Sequence, residues 1–104
     1  MSKAKLKRLR QQFRNDVFQR DENRCVICSA PAIDAHHITS RNDMPNGGYT
    51  NKNGASLCSA CHIKAEGWLN GERLDEKYSP VSLYAAIGSS YDDALRASGA
   101  LSNE

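Results

Sequence analysis

Apolar residues recur through the first twenty positions with the period of an α-helix. Leu6, Leu9, Phe13 and Val17 are spaced by three, four and four residues, so they fall in one stripe that Phe18 widens. The spacing predicts a helix over residues 3–20, with Lys and Arg on the rest of its circumference. Asp21-Glu22-Asn23 breaks the pattern, and Ala32 to Ile38, with its small and β-branched residues, reads as a strand. Residues 39–54 are dense in Ser, Asn, Asp, Pro and Gly and predict a structureless loop. A loop of that length in a compact domain serves function or is disordered. Ala55-Ser56-Leu57 reads as a second short strand, and helix resumes near Cys61 and runs to Leu69, before Asn70-Gly71. Ser79-Pro80 and Ser90 are caps for two short helices, Val81–Ile87 and Tyr91–Ala97, and residues 98–104 read as a loose tail. Trp68 is read as core and Tyr49 as a loop tyrosine capping it.

The composition changes this picture in one respect. With 104 residues, 39% of them hydrophobic and 7% aromatic, the chain makes one small α+β domain whose thin core needs a staple. The domain divides into a basic helix (1–20), a core (21–70) and a helical extension with tail (71–104). No apolar run approaches the roughly 18–20 residues that cross a membrane. The basic start leads into Gln, Arg and Asp rather than an apolar stretch, so no secretory signal is read and the cytoplasm is the expected compartment. Thiols stay reduced there.

The overall charge of +2 hides an asymmetry. Residues 1–24 hold eight basic and three acidic side chains, a net +5, and the remainder carries −3. A cationic arm on a near-neutral body suits a polyanionic partner such as nucleic acid, although a charge run by itself is equally a solvated helix face.

Cys25-Val26-Ile27-Cys28 and Cys58-Ser59-Ala60-Cys61 are separated by 29 residues. A two-residue gap lets both thiolates of a turn point at one centre, and two such turns complete a tetrahedron around Zn2+. Paired disulfides fit a reducing compartment poorly, and a redox motif needs only one pair. The three histidines fall within the same framework. His36 and His37 are adjacent on a strand and must point to opposite sides, so they cannot share a role. His62 follows Cys61, and Glu66, four residues on, shares its helical face.

Cys-x-x-Cys, then Asp34-Ala35-His36-His37-Ile38, Asn53-Gly54-Ala55-Ser56-Leu57-Cys58 and Cys61-His62 together resemble the HNH endonuclease motif. The resemblance covers residues 20–66, including the lead-in Arg20 to Cys25, and implies a ββα-metal core with a four-cysteine structural zinc. It implies that His37 is the general base that activates water, and that Asn53 ties the inter-strand loop together and helps to orient that base. His36 and His62 then hold a catalytic divalent metal. Glu66 stands where some members, the colicin nucleases among them, place a third histidine, and Asp34 is a candidate to orient His36 from the same side of the strand.

The chemistry agrees with the resemblance. A neutral imidazole can take a proton from water near neutral pH, and an ion held by few protein ligands keeps positions open for phosphate. Mixed nitrogen and oxygen ligands leave that ion open among Mg2+, Mn2+, Ni2+ and Zn2+. Candidates for holding DNA are the basic helix from Lys3 to Arg20, Lys5 and Arg8 in particular, with Arg41, Lys52 and Lys64 beyond it. Such contacts fix a duplex in place without reading its sequence. The alternative is a non-catalytic zinc-dependent nucleic-acid-binding module, which needs only the cysteines and the basic arm; a zinc-stapled protein-interaction domain is the other. Small stand-alone proteins of this family resemble those of phages, mobile elements and restriction systems.

Overall fold

The computed structural model describes residues 2–72 and 75–101. Helix α1 (Lys3–Arg20) covers the predicted span. Ser2 caps it by accepting from the Lys5 N–H at 3.1 Å. Leu9, Phe13 and Val17 are its buried stripe. Phe18 lies at the edge, with the Arg14 guanidinium 4.6 Å over its ring.

Strands β1 (Asp34–His37) and β2 (Gly54–Leu57) pair antiparallel, Asp34 opposite Leu57 and His37 opposite Gly54. β1 is shorter than the predicted 32–38. Its flanks stay bonded without strand geometry: Ala32 N–H donates to Asn23 O, Ile33 N–H to Leu57 O and Ile38 N–H to Asn53 O, each at 2.9 Å. The pleat sorts side chains between two layers. Ala35, His37, Gly54 and Ser56 face α1, where Leu9, Phe13, Val17 and Tyr49 form one apolar cluster. Ala55 and Leu57 face the other way, into a cluster with Cys61, Ala65, Tyr78, Leu83, Tyr84 and Ala94. Helix α2 (Ser59–Leu69), α3 (Pro80–Ala86) and α4 (Tyr91–Ala100) supply that second layer.

Several boundaries differ from the sequence expectation. The loop expected to be structureless folds into three 3-10 turns, Arg41–Asp43, Pro45–Gly48 and Asn51–Asn53. Short polar side chains cap the first and third of these turns locally: Ser40 Oγ accepts from Asn42 N–H and Thr50 Oγ1 from Lys52 N–H. α2 starts at Ser59 rather than near Cys61, because the second Cys-x-x-Cys turn is itself the first turn of the helix, with Cys58 at its N-cap. α4 continues to Ala100 where a loose tail was expected; Ser98 is buried, and the Ser98 carbonyl accepts from Asn46 Nδ2 at 2.9 Å. Residues 102–104 of that tail lie outside the described residues. Trp68, expected in the core, is half-buried near the end of α2.

The junction of α1 with β2 rests on Arg20 and Asp21. Arg20 donates to the Asn51 and Gly54 carbonyls, both at 2.6 Å, and pairs with Asp21 through two nitrogens at 2.8 Å. Asp21 accepts in turn from the Ser56 N–H at 3.0 Å. Burial opposes ionisation of Asp21, but Arg20 and the Ser56 N–H outweigh it and hold the carboxyl below its usual range. Arg20, counted with the DNA-facing basic residues, is thus committed to the fold.

Gly54 is the point of closest approach. A Cβ there would lie 2.5 Å from Val17 Cγ2 and 2.7 Å from Phe13 Cε1. Gly54→Ala should therefore push α1 off the sheet and destabilise the protein by about 1–3 kcal/mol, the usual cost of overpacking. Urea unfolding would show this as a lowered midpoint, and an unchanged midpoint would contradict the packing.

Candidate active site

Two groups of ligand-bearing side chains assemble on this scaffold. In the first, the Cys25–Cys28 turn is closed by Cys25 N–H donating to Ala30 O at 2.8 Å and Ser29 N–H donating to Cys25 O at 2.9 Å. It faces the Cys58–Cys61 turn of α2. Cys28 Sγ lies 3.6 Å from Cys58 Sγ and 3.9 Å from Cys61 Sγ. The four ligand atoms all lie within 4.8 Å of one another. An ion with metal–sulfur bonds of about 2.3 Å has tetrahedral edges of roughly 3.8 Å, whereas a disulfide needs about 2.05 Å. The four cysteines are free, and their spacing fits a tetrahedral zinc. Burial opposes ionisation of Cys25, but the backbone N–H groups of Cys58, Cys28 and Ile27 outweigh it and bring the thiol down to about 7.

The second group lies between β1 and α2. His36 is 1% exposed, and its Nδ1 has no hydrogen-bond partner. That nitrogen is 3.5 Å from Glu66 Oε1. His62 pairs its Nδ1 with Asp34 Oδ2 at 3.0 Å, which leaves its Nε2, 3.2 Å from the same Glu66 oxygen. An orphaned buried nitrogen is costly without a partner. Metal bonds of about 2.1 Å separate neighbouring ligand atoms by roughly 3.0–3.4 Å, so His36, His62 and Glu66 fit one divalent ion. Asp34 corrects the sequence reading: its carboxylate orients His62, not His36. The pleat puts Asp34 and His36 on one side of β1, but the exposed Asp34 carboxylate meets the first turn of α2 while the His36 ring is buried. A carboxylate on one ring nitrogen, with the other nitrogen turned towards further donors, is the usual support for a metal-binding histidine.

His37 points to the other face of β1. Its ring stacks on Phe13 at 4.5 Å between centroids and 25° between planes, and meets Tyr49 edge-on at 5.0 Å. Tyr49 thus caps the core as expected, and its hydroxyl also accepts from Arg41 at 3.1 Å and Arg10 at 3.3 Å. Burial, aided by the nearby charge of Arg41, lowers the His37 pKa to about 4, against a smaller upward pull from the Gly47 backbone. Burial, with His62 and His37 adding to it, lowers His36 to about 3. Both imidazoles are neutral at neutral pH.

Asn53 closes the loop between the strands. Its Oδ1 accepts from Thr39 N–H at 3.0 Å and its Nδ2 donates to the Thr39 carbonyl at 3.0 Å and the Gly48 carbonyl at 3.3 Å. A cleft of about 350 Å³ is bordered by His36, His37, His62, Glu66 and Arg41. Lys5 and Arg8 line a different groove, with Gln12 and Asp16, that none of the histidines borders. Lys52 and Lys64 are exposed, the latter 5.4 Å over the Tyr78 ring.

Residues 25–66 match the family model of the HNH endonucleases. This segment belongs to the HNH endonuclease family. No curated protein and no solved structure matches the chain. The HNH segment contains both ligand groups, Asn53 and His37, and the family implies a nucleic acid as the partner. Among the described residues no helix is long and apolar enough to cross a membrane. Around the HNH segment, the structure adds residues that the sequence reading missed. Phe13 comes from α1 and Tyr84 from α3. Phe13 was recognised only as core; nothing in the spacing of Tyr84 signals a contact with Asn53, 31 residues earlier.

The thiol geometry generates a first expectation. Exhaustively dialysed protein should retain about one zinc per chain, measured by elemental analysis, as a closed tetrahedral site requires. Cys58→Ala should unfold or aggregate, and a native melting curve for that variant would refute the staple. The histidines generate a second. Because His36 and His37 titrate below the ordinary 6.5, at about 3 and about 4, the unfolded chain binds more protons as pH falls below 6.5. Stability is therefore full above that pH and declines towards pH 4. His37→Gln should remove up to about 1.4 kcal/mol per pH unit of that decline. Denaturant titrations between pH 7 and 4.5 measure it, and an identical slope in the variant would mean that the His37 ring is solvated.

Proposed function

We propose that the protein is a metal-dependent endonuclease that hydrolyses DNA phosphodiester bonds, with His37 as general base and a divalent ion at His36, His62 and Glu66. One observation carries this reading. Three donor atoms converge on one side of β1 while a neutral imidazole from the adjacent residue borders the same cleft.

The roles follow from what each group can do. His37 accepts the proton of a water as the water oxygen attacks phosphorus. Its depressed pKa keeps the ring unprotonated, and an entering phosphate offsets the Arg41 charge that helps to depress it. Phe13 and Tyr49 fix the ring plane, so the base does not have to be oriented during the reaction. Asn53 holds the loop carrying Gly47, whose backbone lies beside that ring. His36, His62 and Glu66 would hold a divalent ion, which would supply Lewis acidity for the phosphate and the departing 3′ oxygen. Asp34 keeps His62 in the tautomer whose Nε2 carries a free lone pair. Cys25, Cys28, Cys58 and Cys61 would hold a zinc ion that ties the lead into β1 to the start of α2.

Arg10, Arg14 and Arg41 border a cleft with His37, where their charges suit phosphate. Lys5 and Arg8 extend the cationic surface along α1. The net +5 of residues 1–24 supports binding to a phosphate backbone, held largely without sequence readout.

His37→Ala should abolish plasmid nicking while DNA binding and calorimetric Mn2+ binding persist. His36→Ala and His62→Ala should lose Mn2+ affinity, with activity partly returning at high metal. Retained cleavage by His37→Ala would overturn the assignment of the base. A wild-type protein that binds DNA but cuts none with Mg2+, Mn2+, Ni2+ or Zn2+ would leave a non-catalytic binding module.

A further inference from the structure

The amide of Asn53 is fully buried and every hydrogen-bonding position on it is filled. Three of its four bonds come from the loop itself, through Thr39 and Gly48. The fourth comes from outside the HNH segment: Tyr84 Oη on α3 donates to Asn53 Oδ1 at 2.8 Å. A phenol has one proton, so Thr39 Oγ1, 2.7 Å from Tyr84 Oη, is the donor in that second contact. Tyr84 therefore joins both ends of the loop, Thr39 at its start and Asn53 at its end. Burial raises the Tyr84 pKa and keeps the phenol protonated as a donor.

Two further bonds tie the same loop to the α3–α4 connection and to α4. Ser89 Oγ donates to the Lys52 carbonyl at 2.8 Å, and Asn46 Nδ2 donates to the Ser98 carbonyl at 2.9 Å. The Gly48 carbonyl held by Asn53 directly follows Gly47, whose backbone lies beside the His37 ring. A continuous path of bonds thus runs from α3 to the base.

We propose that Tyr84 is a positioning residue for the nucleolytic site, acting through Asn53 on the loop that carries Gly47, so that residues 80–100 complete a site the HNH segment does not complete alone. The proposal rests on the nuclease reading for its catalytic consequence. Its structural content, that the Tyr84 hydroxyl locks Thr39 and Asn53, stands independently of that reading.

The test uses Tyr84→Phe in the zinc-loaded 104-residue chain, which keeps the buried ring and removes only the hydroxyl. Val81→Ala, on the same helix and 80% exposed, is the control. Tyr84→Phe should lower kcat for plasmid nicking by roughly three- to tenfold, the worth of one neutral hydrogen bond. KM for DNA and the affinity for Mn2+ should not change. Amide hydrogen exchange at Thr39, whose N–H donates to Asn53, should accelerate by a similar factor, while amides inside α1 keep their protection. Unchanged kcat with unchanged Thr39 exchange overturns the proposal. So does a fall in kcat matched by exchange that rises uniformly through the core, since that marks general destabilisation. If the wild-type protein cuts no DNA, the nuclease reading fails by itself, and Thr39 exchange in Tyr84→Phe alone decides whether the lock exists.

Discussion

A pair of four-residue strands is not stable by itself in water, so everything in this protein depends on clamping one short hairpin from both faces and both ends. One face is clamped by the apolar stripe of α1, which approaches so closely that β2 must begin with glycine. The other is covered by α2 and the C-terminal helices. The lead into β1 and the exit from β2 meet at the four thiols, and the opposite end is closed by the Asn53 amide. With a core this small, geometry held by polar bonds and by metal ligation replaces geometry held by bulk burial.

That clamping sorts the candidate site residues through the pleat of β1. Two adjacent histidines are forced onto opposite faces, and each face supplies a different environment. His36 enters a buried site with His62 and Glu66, where a ring nitrogen without a protein partner is suited to ligation. His37 enters an aromatic slot with cations nearby, where a neutral imidazole is favoured. The proposed division between ligand and base rests on strand geometry, maintained because the register of His37 against Gly54 cannot slip without clashing with α1.

Much of this was legible in the chain. The stripe of Leu9, Phe13 and Val17 has a period that only a helix satisfies, and its span was read to the residue. The doubled cysteine turn and the opposed histidines follow from fixed local geometries, two-residue gaps and strand alternation, so sequence spacing specifies them. Ser79 and Ser90 act as caps through bonds to residues three positions on, another local rule.

What the tertiary structure alone decided involves partners distant along the chain. Asp34 orients His62 rather than His36, because the choice depends on how α2 docks across β1, 28 residues away. Arg20 is drawn from the cationic surface into carbonyl contacts at Asn51 and Gly54. The loop expected to be structureless is ordered because its ends meet at Asn53, and α4 continues past its expected end because Ser98 is buried against that loop. Tyr84 reaches the Asn53 amide from beyond the HNH segment. Local patterns fix backbone period and turn chemistry within a few residues. A hydrogen bond between side chains some thirty positions apart has no period, and it exists only once both layers have closed on the hairpin.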